Sequence, residues 1–334
     1  MAPRAGGQAH RQGLVAPTWL RRQYRGRASF WALRWYLYNR GFGKEQGGWR
    51  QRLLALPEAA QPSISRAQLL ALPPYDLFST TEQNRAAAEL EEAIGLSRQE
   101  ALALWLQFGA VREALVARGF LVSGALARGD TASAERLVAA NRALAGTTGM
   151  AAALLSEAEL AEARGDDAQA RLLFEETVRR ADAQEGEKSV RRLVGLAYLA
   201  RVMLRQGDTD AAVATCAASL TVQRSGAPLR FLSAVLNVLA QAAERYGLLA
   251  ISARLLAAVE VQRRESAAEL RGLRAAQQAA VERMRAVMDE ATFAEAWAAG
   301  ETLSADAAIE LGLAAVAELQ QLLATGTAAV DESR

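Results

Sequence analysis

Cys216 is the only cysteine and His10 the only histidine in 334 residues. The chain therefore has no disulfide framework, no Cys/His zinc site and no nucleophile relay built on an internal imidazole base. Carboxylates remain for acid–base work, and they come in adjacent pairs, Glu91 with Glu92 and Glu175 with Glu176. Neighbours in sequence diverge by about 100° on a helix, so neither pair is placed to share one substrate and both read as solvated helical faces. A triphosphate cradle is missing as well. No G-x-x-x-x-G-K-[ST] occurs, and the nearest approach, GTTGMAAA at 146–153, lacks the lysine and reads as a loop. The expectation is a protein that is not an enzyme, with no catalytic residue, no cofactor and no metal. A cryptic enzyme would need a pocket holding acids of shifted pKa. One thiol fits a reducing compartment, and the expected localisation is cytoplasmic.

Charge offers a second kind of chemistry. Up to Lys44 there are eight Arg, one Lys and no acid, while the remainder is acidic enough to leave the whole chain at +2. Residues 1–27 read as a basic arm, the one place where nucleic acid can be a partner; duplex DNA bound through its phosphates is the alternative function. Trp31, Trp35 and Tyr38 follow at i, i+4 and i+7 and form one apolar stripe, which favours core packing over base stacking. No uninterrupted apolar run reaches 18 residues, so no membrane partner is expected. A third motif is Arg-Gly-Asp, written in ARGDTASAERLV at 127–138 and ARGDDAQARLLF at 163–174, with RQGDTDAAVATC from Arg205 as a variant. It is either a displayed adhesion ligand or a part of the fold.

The elements that carry these residues decide between the two. Gly129, Gly165, Gly207 and Gly247 recur at intervals of 36, 42 and 40 residues. The fifth residue after each is small, Ala134, Ala170, Ala212 and Ser252, and seven residues before each stand Val122, Ala158, Ala200 and Ala240. A period in this range spells an array of helical hairpins. A helix that reverses within a few residues needs a left-handed residue past its end, where a side chain costs about 1 kcal/mol or more, so glycine fits. The Asp that follows can cap the next helix, and Asp166 with Gln169 has the capping-box spacing. Arg-Gly-Asp thus reads as a turn, and the third copy keeps the pattern with Gln206 in place of Arg.

These repeats resemble the tetratricopeptide repeat family, with Gly-Asp at the turn and Ala in the second helix. They run longer than its 34-residue unit, lack its closing proline and carry an aromatic in the second helix only at Phe174. Two further stretches are similar to the helical region of large bacterial LuxR-type, ATPase-linked transcriptional regulators. ARLLAAVEVQRRESAAEL followed by ERMRAVMDEATFAEAWAAGETLSADAAIELGL looks like their C-terminal tail, through Phe293, Ala294, Ala296, Trp297, Gly300 and Leu303. SFWALRWYLYNRGFGKEQGGWRQRLLALPEA looks like their first repeat, through Arg40, Gly41 and Trp49. The tail is expected to cap the array: Phe293 and Trp297 share a face against the last hairpin, Gly300 ends a short helix and Ser304 starts the next. Between residues 57 and 96 the rhythm weakens, and Pro73, Pro74 and Tyr75 read as a connector.

The expected fold is all-α, a TPR-like α-solenoid of helical hairpins with a C-terminal helical cap. Its divisions are an arm over 1–27, repeats over 28–264 and a capping segment over 265–334. The resemblance implies a protein or peptide partner held on the surface of the first helices, without the ATPase and helix-turn-helix domains of those regulators. Register carries that face to Glu159 and Glu162, Arg201 and Arg205, then Asn237, Gln241 and Arg245. Asn237 and Gln241 lie four apart in an otherwise apolar helix and need a polar contact between adjacent helices, or a partner.

Overall fold

The computed structural model describes scattered residues between 52 and 70 and then 99–326, apart from 108, 147–148, 230 and 266–272. The basic arm, the aromatic first repeat, the 73–75 connector and Glu91/Glu92 lie outside the described residues. Those described are all-α, and no strand occurs among them. A 3-10 turn covers Pro57–Ala60, and residues 99–107 are helical. Eleven helices follow: α1 Val111–Ala127, α2 Thr131–Leu144, α3 Met150–Ala163, α4 Asp167–Glu185, α5 Val190–Arg205, α6 Thr209–Arg224, α7 Leu232–Arg245, α8 Leu249–Glu265, α9 Leu273–Val287, α10 Glu290–Glu301 and α11 Ala305–Ala324.

Four turns of one design make the hairpins. Gly129, Gly165, Gly207 and Gly247 have φ of 73°, 79°, 81° and 76°. In each, the glycine N–H bonds the carbonyl three residues back, and the next N–H bonds the carbonyl five back, as Asp130 to Ala125 and Asp208 to Met203. This double bond satisfies carbonyls that a helix end leaves open. The following Asp then begins the next helix: Asp130, Asp166 and Asp208 accept from the backbone N–H of Ser133, Gln169 and Ala211. Arg-Gly-Asp is therefore the stop of one helix and the start of another.

Small residues bring the paired helices close. Ala134, Ala170, Ala212 and Ser252 are fully buried, as are Val122, Ala158, Ala200 and Ala240 on the helices they face. Each helix from α1 to α8 packs on its sequence neighbours, and α1, α3, α5, α7 and α9 also pack on one another in turn. Phe174 fills the α4 slot and stacks on Tyr198 of α5, with ring centres 5.0 Å apart. The continuous core runs from α3 through α11.

At the C-terminal end α10 packs on α8, while α11 lies against α6, α7 and α8. Phe293 and Trp297 stack at 5.6 Å, and Ser304 caps α11. Gly300 departs from its expected role as a terminator: the helix runs on to Glu301. A Cβ there would meet the Arg254 carbonyl oxygen at 2.3 Å and Ala257 Cβ at 2.6 Å, so glycine is required for α10 to touch α8. By length and composition α11 is apolar enough to cross a membrane. In this fold it buries Ile309, Gly312, Val316 and Leu319 against its neighbours.

Candidate partner-binding face

The C-terminal halves of α3 and α5 bring Glu162, Arg201 and Arg205 of the predicted face together. Glu162 of α3 accepts from Arg201 Nη2 at 2.5 Å, and Arg205 Nη1 lies 2.9 Å from its other oxygen. Arg205 also grips Asp167, at the start of α4, through Nε at 3.0 Å and Nη2 at 2.6 Å. Arg201 lies over the Tyr198 ring, 4.7 Å from its centre, so the Phe174–Tyr198 stack positions the guanidinium that holds Glu162. Burial works against the Arg205 charge, yet the hydrogen bond to Asp167 and the charge of Glu162 raise its pKa above the ordinary value.

Such bonds recur with the repeat. Ser123 Oγ of α1 donates to Glu159 of α3, 36 residues on. Arg201 reaches back 39 residues to Glu162, Arg205 38 to Asp167, Arg245 41 to the Leu204 carbonyl at 2.6 Å, and Arg283 of α9 39 to Glu244. On the second helices Arg171 of α4 bonds Gln206, and pairs with Asp208 at 2.8 Å. A polar ladder thus ties each tier to the next, rung by rung.

Five of the seven predicted residues, Glu159, Glu162, Arg201, Arg205 and Arg245, belong to this ladder. Glu162 and Arg201 are largely buried, at 4% and 11% side-chain exposure, whereas Arg205 keeps 39%. Asn237 and Gln241 make their bond within α7, Gln241 Nε2 donating to Asn237 Oδ1 at 2.5 Å, and not between adjacent helices. Asn237 is fully buried and its Nδ2 has no hydrogen-bond partner. Sequence reasoning missed the other ends of the rungs, Ser123, Asp167, Glu244 and Arg283. Their signal was present, since each stands one repeat from a residue already chosen.

Four carboxylates lie below their ordinary pKa range, each for a cause in its own surroundings. Glu176 is held down to about 2 by Arg179 and Arg180, while Glu175 turns to Arg171, so the adjacent pair does diverge. Hydrogen bonds from Ser133 and Thr292 hold Asp130 and Asp289 below the usual carboxylate range. Glu185 is pushed up by burial but brought below its ordinary value by Ser189 and Arg191. All four shifts favour the charged form, opposite to what a general acid requires. Among the described residues no three of His, Cys, Asp and Glu converge as metal ligands. No protein-family model, curated protein or solved structure matches this chain.

Proposed function

We propose that the chain is a non-enzymatic protein-interaction module, a TPR-like solenoid that binds a peptide or helix on the face of its first helices. The observation that carries this reading is the ladder: bonds repeating every 36 to 41 residues along α1, α3, α5, α7 and α9. Stacked tiers of this kind offer an extended surface with one register. Buried rungs fix the tiers, and the exposed part of Arg205 is the point on this face that we assign to a partner. The similarity of the tail through Phe293, Trp297 and Gly300 to LuxR-type regulators makes the sensor or scaffold part of a transcriptional regulator the favoured setting, an inference by analogy.

A photo-crosslinking amino acid placed at Arg205 or Gln241 of the full chain tests this in cells, with the exposed Leu172 on α4 as control. One discrete adduct from the first two positions and none from Leu172 is expected. Adducts of equal strength from Leu172, or none from the groove, would refute the reading. Duplex DNA affinity that falls steeply with salt and vanishes on deleting residues 1–27 would favour the basic arm instead.

A further inference from the structure

Helix α11 is held differently from the hairpins. Polar rungs join one tier to the next, whereas α11 is seated on α6, α7 and α8 by an apolar stripe. Ala308, Ile309, Ala315, Val316 and Leu319 are buried along one face, at the spacing of successive helical turns. Gly312 is the closest point of approach: a Cβ there would meet Leu220 Cδ1 of α6 at 2.8 Å and Leu236 Cδ2 of α7 at 3.0 Å. Leu220 and Leu236 are fully buried, so they form the floor of a groove that α11 fills.

Its polar side chains point away from that groove. Asp306, Glu310, Glu318, Gln320 and Gln321 are exposed. Among the described residues a single ion pair links them to the body, Arg224 Nη1 to Glu310 Oε1 at 3.7 Å, with both side chains over half exposed. Such a pair contributes little. Withdrawing α11 therefore strands no buried charge, whereas separating α3 from α5 would part Glu162 from Arg201. The hinge is also in place. Thr302, Leu303 and Ser304 join α11 to α10, and α10 stays anchored on α8, where Gly300 sits against the Arg254 carbonyl.

We propose that α11 is a displaceable occupant of a helix-binding groove on α6, α7 and α8, and that the partner which replaces it is an amphipathic helix of the same pattern. The seated helix defines the chemistry of its rival. A glycine stands at the closest point, with aliphatic anchors three residues before it and four and seven after it, as Ile309, Val316 and Leu319 stand to Gly312. A carboxylate two residues before the glycine meets Arg224, as Glu310 does. Helix-in-groove recognition reads its anchors at this spacing. The groove lies apart from the Glu162–Arg201–Arg205 cluster and does not depend on the reading of that face.

Hydrogen exchange and peptide binding on the full chain test the proposal. The amides of α11 should exchange as one unit, at least about tenfold faster than those of α5 and α7. A fluorescein-labelled peptide of residues 303–326 should bind the wild type weakly, because the tethered helix competes with it. It should bind the Gly312→Leu chain at least about tenfold more tightly, because that substitution drives the chain's own α11 off Leu220 and leaves the groove free. The same peptide carrying Gly312→Leu should bind that chain at least about tenfold more weakly than the unaltered peptide. Glu310→Arg sets like charges together at an exposed position and should raise peptide uptake about two- to fivefold, and Arg224→Glu combined with it should reverse the gain. That pair carries the test should Gly312→Leu not fold. Exchange of α11 only together with the core, a Gly312→Leu chain that takes up no more peptide than the wild type, or equal binding of the two peptides would overturn the assignment. So would capture of that chain by neutral phosphatidylcholine vesicles without peptide uptake, which would place the apolar helix in a membrane instead.

Discussion

Glu162→Gln is the sharpest probe of the ladder, because it keeps the shape of the side chain and removes only the charge. Arg201 then remains 11% exposed opposite a neutral amide. Breaking a buried pair by removing one partner costs about 3–5 kcal/mol, mostly the penalty of the charge left behind. The Arg205 contact adds little: that side chain is 39% exposed and keeps Asp167, so its share is below about 1 kcal/mol. Arg201 also retains its place over the Tyr198 ring, which sets the expected loss near the lower end, about 3 kcal/mol. The double variant Glu162→Gln/Arg201→Met replaces the buried charge by an apolar chain and should recover much of this, giving a coupling of about 2 kcal/mol. Urea unfolding followed by far-ultraviolet circular dichroism reads all three. Glu135→Gln is the control, since its pair with Arg164 is half exposed on both sides and should matter by less than about 1 kcal/mol. If Glu162→Gln is as mild as Glu135→Gln, or if the two substitutions simply add, the rungs do not hold the tiers.

Three other outcomes follow from the packing. Gly165→Ala has open space around it and suffers only from its φ of 79°, so about 1–2 kcal/mol is expected, whereas Gly300→Ala must push α10 off the Arg254 carbonyl and costs about 1–3 kcal/mol by urea unfolding, with a changed Trp297 environment in fluorescence. Asp130, Glu176, Glu185 and Asp289 all have pKa values depressed by folding, so their stabilisation is complete above the unfolded carboxyl values near about pH 4.5 and is lost as pH falls through the folded ones, about 2 for Glu176; the urea midpoint should therefore stay level from neutrality down to about pH 4.5 and drop between there and about pH 2. Burial pushes the Cys216 thiol up, so a thiol-reactive dye should label the native protein only at the rate of local opening, and prompt labelling without denaturant would contradict the packing of α6 against α7.

The turns were legible because their cause is local. A left-handed backbone at Gly129 or Gly207 and a capping Asp beside it are requirements of a few consecutive residues, and the buried small residues at fixed offsets from them follow from the same geometry. Contacts one repeat away were half legible. Register placed Glu162, Arg201 and Arg205 on one face, but nothing in the sequence says that they spend themselves on one another. The cost of burying Asn237 and Gln241 is plain in the sequence, which leaves a contact between helices or a partner open, whereas the bond made is to the next turn of the same helix. Gly300 was misread because a glycine near a helix end has two uses, a turn or a close approach, and only the position of Arg254 separates them.

The ladder also explains how unequal repeats keep one register. The glycines are spaced 36, 42 and 40 residues apart, yet the rungs on the first helices all join residues in the last two turns before the hairpin glycines. Extra length goes where it cannot disturb them. Helix α4 runs 19 residues and is stopped by Gly186 before Ser189 caps α5, and the turn after α6 holds Gly226 and Pro228 before α7 begins. An apolar seam of alanine and leucine would tolerate a slip by one helical turn at little cost, since one small residue replaces another. A charge pair does not: a one-turn slip would leave Glu162 and Arg201 buried apart, which costs several kcal/mol. The polar rungs therefore add less to stability than to choice of register, the best-attested use of buried polar pairs. Replacing every rung by apolar residues should accordingly give a chain that still folds as helices but whose tiers lose their single alignment.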